Sequence, residues 1–162
     1  MTRVSFLALP AVILIADQVT KALIRANMTL GQSIPPEGVF RLTYVTNPYG
    51  VFGFDGVLGL YLSPTFFMIA TGIVVMLIIW LGCRYLTATS RLLRIGLGLV
   101  LGGAMGNLID RIWFGAVTDF IDVQLWAGFP WPRWPTFNIA DASLTTGIFI
   151  LIICLPMIVK DT

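Results

Sequence analysis

Residues 95–111 read IGLGLVLGGAMGNLIDR. The uncharged part, Ile95–Ile109, is 15 residues long and ends against Asp110 and Arg111. At about 1.5 Å per residue, 15 helical residues reach only about 22 Å of a hydrocarbon core ~30 Å thick. The segment spans a bilayer only if it carries Asp110 and Arg111 at one end. An intramembrane helix with two charged residues at its tip sets the class of this chain: a membrane protein that keeps polar chemistry at one depth.

The composition agrees. The chain is 57% hydrophobic and 11% charged, with a mean hydropathy of +0.91. Soluble domains are about 45–50% apolar and ~25% charged. A soluble globular enzyme, a disordered chain and a basic nucleic-acid module are excluded, so no nucleic acid is expected as partner. The chain has no histidine, which removes a Ser–His or Cys–His nucleophile, a His-ligated zinc and a histidine proton switch. Cys83 and Cys154 lie in apolar stretches with neither disulfide nor metal-ligand spacing. No metal or organic cofactor is expected.

Three more uncharged runs flank the first: Val4–Ala16 (13 residues), Gly56–Cys83 (28) and Ala142–Val159 (18). The 28-residue run crosses easily. The 13-residue run must extend through Asp17 and Lys21 to about Ile24. Four transmembrane helices follow, at about 4–24, 58–82, 94–112 and 139–159, in one domain covering 1–162. A rival reading makes the first segment a cleavable signal peptide, with Arg3, an apolar core and Ala16. Against it, apolar character resumes at Val19, Ala22, Leu23 and Ile24, and no clean A-x-A site is present.

Lysine and arginine set the orientation. With the N-terminus inside, Arg3, Arg84, Arg91, Arg94 and Lys160 fall on the inner side. Arg25, Arg41 and Arg133 then lie in longer outer segments, with Arg111 near the boundary. Both termini are therefore expected in the cytoplasm. Outside, Val39-Phe40-Arg41-Leu42-Thr43-Tyr44-Val45 is strand-like between turn signals at Pro35-Pro36 and Asn47-Pro48-Tyr49-Gly50. A small extracytoplasmic β-element is expected there. Trp126, Phe129, Trp131 and Trp134 mark an interfacial aromatic loop or helix. It reads equally as an anchor or as a substrate gate.

This topology brings Asp17, Lys21, Asn107, Asp110, Arg111, Asp119, Asp122, Asn138 and Asp141 to one outer depth. Intramembrane ionisable residues are costly and point to function. Asp17 and Lys21, four apart on one helix face, also read as an ion pair that lets the first helix insert. Asp110-Arg111 reads as a fold-fixing pair. Gly102-x-x-x-Gly106 reads as a helix-packing patch. Asn107 and Asn138 suit hydrogen bonds across helices. Ser143, Thr118, Thr145 and Thr146 read as interhelical glue. Acid–base chemistry is left to aspartate, and Asp119 and Asp141 come from different elements at one depth. Two carboxylates in one partly buried site share a proton, so that one activates water while the other polarises a carbonyl. On residues alone, buried ion pairs or a proton path through Asp17, Asp110 and Asp141 in a small proton-coupled transporter remain open, as does a non-enzymatic scaffold.

The motifs resemble those of lipoprotein signal peptidase (signal peptidase II), a bacterial aspartic peptidase family. Asp17-Gln18-Val19-Thr20-Lys21 looks like its first box, and Gly102-Gly103-Ala104-Met105-Gly106-Asn107-Leu108-Ile109-Asp110-Arg111 like its third-helix signature. Gly115-Ala116-Val117-Thr118-Asp119-Phe120 and Phe137-Asn138-Ile139-Ala140-Asp141 resemble its two catalytic segments. One stretch departs: Asn47-Pro48-Tyr49-Gly50-Val51-Phe52 has Tyr49 where glycine is usual. The resemblance implies a catalytic pair, Asp119 and Asp141. Asp17, Lys21, Asn47, Gly103, Asn107, Asp110, Arg111 and Asn138 would be supporting or substrate-contacting residues. It implies a diacylglyceryl-modified prolipoprotein substrate cut before its lipidated cysteine. It also implies a multi-pass place in the bacterial cytoplasmic (inner) membrane, with the active site near the outer face and lipid as a neighbour. Nothing in the sequence demands a partner chain, so a monomer is expected. The flanks of the first, third and fourth helices are expected to hold the lipid chains and signal-peptide helix.

Overall fold

The computed structural model describes residues 3–48, 63–85, 90–126 and 132–160. Four helices, α1 (Arg3–Asn27), α2 (Pro64–Tyr85), α3 (Arg91–Phe114) and α4 (Ile139–Lys160), alternate with strands β1 (Ser33–Ile34), β2 (Phe40–Asn47) and β3 (Val117–Val123). Among the described residues, α1 over Leu7–Asn27 and α3 over Arg91–Phe114 are long and apolar enough to cross a membrane, and α2 and α4 carry shorter apolar stretches. Tyr49-Gly50-Val51-Phe52, with its tyrosine at a usual glycine position, lies outside the described residues, as do Phe129 and Trp131 of the aromatic loop.

Exposure is inverted relative to a soluble protein. Leu7, Val12, Ile15, Val19 and Leu23 of α1, Ile69, Ile73 and Met76 of α2, and Phe149, Ile152 and Ile153 of α4 face outward, while Asp17, Lys21, Asp110 and Asn138 are each 0% exposed. Apolar surface on that scale suits contact with lipid, and charges in such a bundle turn to its interior.

The central helix is α3, which packs against α1, α2 and α4. Ser90 caps it, accepting the Leu93 N–H at 3.2 Å. Gly115 ends it at φ 73°, returning its N–H to the Arg111 carbonyl. Glycines make its neighbours close. Gly98, Gly102 and Gly106, spaced by four, face Leu9, Pro10, Ile13 and Asp17 of α1. Gly96 and Gly103, two turns apart, face α4. The Gly102–Gly106 patch is thus the α1 contact, as expected. Gly103 carries the α4 contact, because a Cβ there would collide with the Ala140 carbonyl and lie 2.9 Å from Leu144 Cγ. Gly103→Ala is expected to force α3 and α4 apart at a cost of about 1–3 kcal/mol, the usual range for overpacking. A fall in melting temperature in detergent, with weakened activity, is the check.

The strands form one antiparallel sheet in the order β1-β2-β3. The strand expected at 39–45 is there, shifted slightly to Phe40–Asn47. Its partner β3 was not anticipated, because Val117–Val123 is largely buried on both faces and so lacks the alternation that marks a half-exposed strand. The register pairs Asn47 with Val117 and Val45 with Asp119. On the pleat, Val45, Asn47, Val117 and Asp119 therefore share one face. On β3's other side Asp122 accepts from Arg133 Nε and, at 2.7 Å, from Thr43 Oγ1; Arg41 Nε also donates to it. Burial pushes the Asp122 carboxyl up, but these three donors outweigh it and hold it below the usual carboxylate range. The clamp joins both strands to the end of the aromatic loop.

Candidate active site

The site is built where the N-terminus of α4 meets the C-terminal ends of α1 and α3 and the β2–β3 sheet. Asn138 is the N-cap of α4: its Oδ1 accepts the Asp141 N–H at 2.9 Å, and Asp141 Oδ2 accepts the Asn138 N–H at 3.2 Å. This is a reciprocal capping box, and Asn138-x-x-Asp141 is its sequence signature. The cap leaves the amide Nδ2 of Asn138 free to turn inward. It donates to Asp119 Oδ1 at 2.7 Å and to Asn107 Oδ1 at 3.2 Å. Asn107 in turn donates to Asp141 Oδ1 at 2.7 Å. Each aspartate is thus held by an asparagine from another element, and Asn138 bridges the two. Asn47 adds a side-chain hydrogen bond to Asp119, reaching diagonally across the sheet register.

Behind this pair lies a second, buried layer. Lys21 Nζ sits 2.9 Å from Asp17 Oδ2 and 3.6 Å from Asp110 Oδ2, and donates to Asn107 Oδ1 at 2.9 Å. Asp17 Oδ1 accepts the Ala140 N–H at 3.0 Å, so a carboxylate on α1 supports the first turn of α4. Asp110 accepts the Thr118 N–H at 2.9 Å, which fixes the start of β3. Asp17, Lys21 and Asp110 therefore do not touch the open site; they hold the elements that do. The Asp17–Lys21 ion pair expected from their spacing is present.

Two members of this layer were missed. Gln18 Nε2 donates to the Gly106 carbonyl at 3.0 Å and to Asp110 Oδ1 at 3.3 Å. Arg25 Nη1 donates to Thr118 Oγ1 at 2.9 Å and stands 3.5 Å from Asp110 Oδ1, with its guanidinium 4.3 Å from the centre of the Phe114 ring. The signal for Arg25 was available, since Asp17, Lys21 and Arg25 recur every four residues on one helical stripe.

Asp119 and Asp141 open onto a cavity of about 370 Å³. Its polar end holds Asn47, Asn107, Arg111, Asp119 and Asp141, and its walls are Phe67, Ala70 and Val74 of α2 with Leu144, Ile148 and Phe149 of α4. This corrects one expectation. The cavity's apolar lining comes from α2, α3 and α4 rather than from the first, third and fourth helices, because α1 is occupied in backing α3. Arg111, expected with Asp110 to fix the fold and, by the resemblance, to support the site or contact substrate, lines the cavity beside the aspartates. Thr145 also lines it, whereas Thr146 bonds back to the Ala142 carbonyl in its own helix.

Burial, followed by the nearby Asp141 carboxylate, pushes Asp119 up to about 7. A carboxyl with that value is still about half protonated at neutral pH, so the pair can hold one proton there, which is the condition for paired acid–base work. Among the described residues no set of three or more His, Cys, Asp or Glu side chains is arranged to hold a metal ion.

Comparison with known proteins agrees with this architecture. Residues 9–157 match the family described as signal peptidase (SPase) II. The lipoprotein signal peptidase of Moorella thermoacetica is 41% identical over 147 residues, covering 90% of this chain and 89% of the relative. That of Desulforapulum autotrophicum is 40% identical over 148 residues, covering 90% and 88%. A bacterial membrane enzyme solved by the in meso method at 2.3 Å resolution superposes with a TM-score of 0.77 at 30% identity, over 98% of this chain and 91% of that one. Motifs, fold and relatives converge, and the chain belongs to the signal peptidase II family.

Proposed function

We propose that this chain is an intramembrane aspartic endopeptidase. It removes the signal peptide from diacylglyceryl-modified prolipoproteins by cutting before the lipidated cysteine. The observation that carries the reading is the Asp119–Asp141 pair, held by three asparagines at the polar end of an otherwise apolar cavity. The names of its relatives support it, and a proton-coupled transporter has no counterpart among them.

All four helices cross the bacterial cytoplasmic membrane, with both termini inside and the aspartates near the outer face. A reporter fused after Thr162 is expected to remain cytoplasmic; an external signal would overturn this topology. The apolar groove between α2 and α4 takes acyl chains and the signal-peptide helix laterally from the bilayer, and lays the scissile peptide bond against the polar end. There one aspartate takes a proton from water as its oxygen adds to the carbonyl carbon, while the other donates its proton to the carbonyl oxygen. Arg111 and Asn47, at the rim of the pair, orient the substrate backbone. One copy supplies every residue named, so the chemistry needs no second copy.

The chemistry needs one proton on the pair. With Asp119 at about 7, cleavage of a lipidated prolipoprotein by the purified protein is expected to fall as pH rises through that value. The decline should approach tenfold per pH unit on the alkaline side. Failure of well-folded protein to cleave at any pH would sink the proposal.

A further inference from the structure

The hydrogen-bond pattern around the two carboxylates is asymmetric, and the asymmetry is imposed from outside the pair. Lys21 Nζ is a donor only, so the Asn107 atom facing it at 2.9 Å has to be oxygen. That locks the amide and turns its Nδ2 onto Asp141 Oδ1 at 2.7 Å. The other oxygen of Asp141 faces the backbone N–H of Asn138 at 3.2 Å, which cannot turn round either. Both oxygens of Asp141 therefore meet fixed donors.

Asp119 differs. Its Oδ1 meets one locked donor, Asn138 Nδ2, which is held in place because Asn138 Oδ1 accepts the Asp141 N–H. Its remaining side-chain partner of this kind is Asn47, whose bond also favours the ionised form but whose amide carries an acceptor that a protonated carboxyl can use. Asp141 also lies in the first turn of α4, where the helix dipole favours a negative charge. Asp119 lies on a strand, which has little dipole to offer.

We infer that the resting enzyme carries its single dyad proton on Asp119 and its negative charge on Asp141, making Asp141 the base that activates water and Asp119 the acid that polarises the scissile carbonyl. This rests on the peptidase reading and deepens it. Lys21 becomes a positioning residue, acting on Asp141 through the Asn107 amide. Among the described residues, the charged groups facing the pair are Lys21 and Asp17 from α1 and Arg111 from α3.

The steps balance. Water gives a proton to Asp141 and forms a C–O bond. The C=O π bond opens and takes the Asp119 proton, leaving a gem-diol with Asp119 ionised. Asp141 then protonates the departing nitrogen as the C–N bond breaks. Asp119 recovers a proton from a gem-diol hydroxyl, and the starting arrangement returns.

The sequence makes the test site-specific. Among its aspartates, only Asp119 precedes phenylalanine and only Asp141 precedes alanine. Carbon-13 aspartate combined with nitrogen-15 phenylalanine, or with nitrogen-15 alanine, therefore isolates each carboxyl by NMR in detergent or nanodiscs. The expected result, from about pH 5 to about pH 8, is a protonated Asp119 carboxyl that ionises as pH rises beside an Asp141 that stays ionised. A proton on Asp141, or two carboxyls titrating in step, overturns the assignment. Cleavage of lipidated prolipoprotein by the same sample separates the two claims. Cleavage with the proton on Asp141 reverses the roles and keeps the peptidase. No cleavage with the proton on Asp119 removes the peptidase reading, and the roles with it.

Discussion

Asp119→Asn and Asp141→Asn are each expected to lower the rate of prolipoprotein cleavage by about 10²- to 10⁴-fold from the lost proton transfer alone. Because the two carboxylates act as one unit, the double variant is expected to be scarcely worse than either single one. Neither change should unfold the protein. Asparagine keeps an oxygen where Asn138 Nδ2 reaches Asp119 Oδ1 at 2.7 Å, and where Asn107 Nδ2 reaches Asp141 Oδ1 at 2.7 Å. At position 141, however, its NH2 then faces the Asn138 N–H and the reciprocal capping bond is lost, so that variant melts somewhat lower. Asp119→Asn goes further. The folded carboxyl titrates at about 7, against about 3.9 in an unfolded chain. The native state therefore holds the proton more tightly, and stability contributed below about pH 4 is lost as pH rises through about 7. The Asn variant lacks that loss, so above pH ~7 it should melt no lower than the parent, while cutting almost nothing. Melting and cleavage measured together at acid and alkaline pH check both halves. Full activity in either variant would remove the aspartate from the chemistry.

What could be read without coordinates was the chemistry and its depth. The polar residues cluster at one end of three apolar runs, and that pattern alone brings Asp17, Lys21, Asn107, Asp110, Asp119, Asn138 and Asp141 to one level. Local spacing also carried more than was drawn from it. Asn138-x-x-Asp141 encodes the cap of α4, and the four-residue ladder from Asp17 to Arg25 encodes the buried stripe. What stayed hidden depends on packing between distant segments. Nothing in the apolar run of α2 says that Phe67, Ala70 and Val74 face a cavity, because a helix bounded by lipid on one side and groove on the other is apolar all round. The strand carrying Asp119 lost its alternation for the same reason. The Asp122 clamp unites Arg41 with Arg133 across some ninety residues of chain, a distance no local rule spans.

The buried layer makes its own prediction. Lys21→Met keeps the length of the side chain and removes its charge from between Asp17 and Asp110, both fully buried. Breaking a buried pair by deleting one partner costs about 3–5 kcal/mol. Asp110 retains Arg25 and the Thr118 N–H, so the burden falls on Asp17. The variant is expected to melt well below the parent. Adding Asp17→Asn should recover part of that loss, since the second change removes the stranded charge while its oxygen can still accept the Ala140 N–H. Activity should not return with stability. Without Lys21 Nζ opposite its oxygen, Asn107 is free to turn, and the donor on Asp141 Oδ1 is no longer assured. The double variant should therefore be better folded than Lys21→Met yet remain low in kcat, with KM less affected. Were Lys21 only a structural counter-ion for Asp17, recovered stability would bring cleavage back with it. The separation of the two measurements in one protein distinguishes a lysine that supports the fold from one that also sets the direction of a catalytic hydrogen bond.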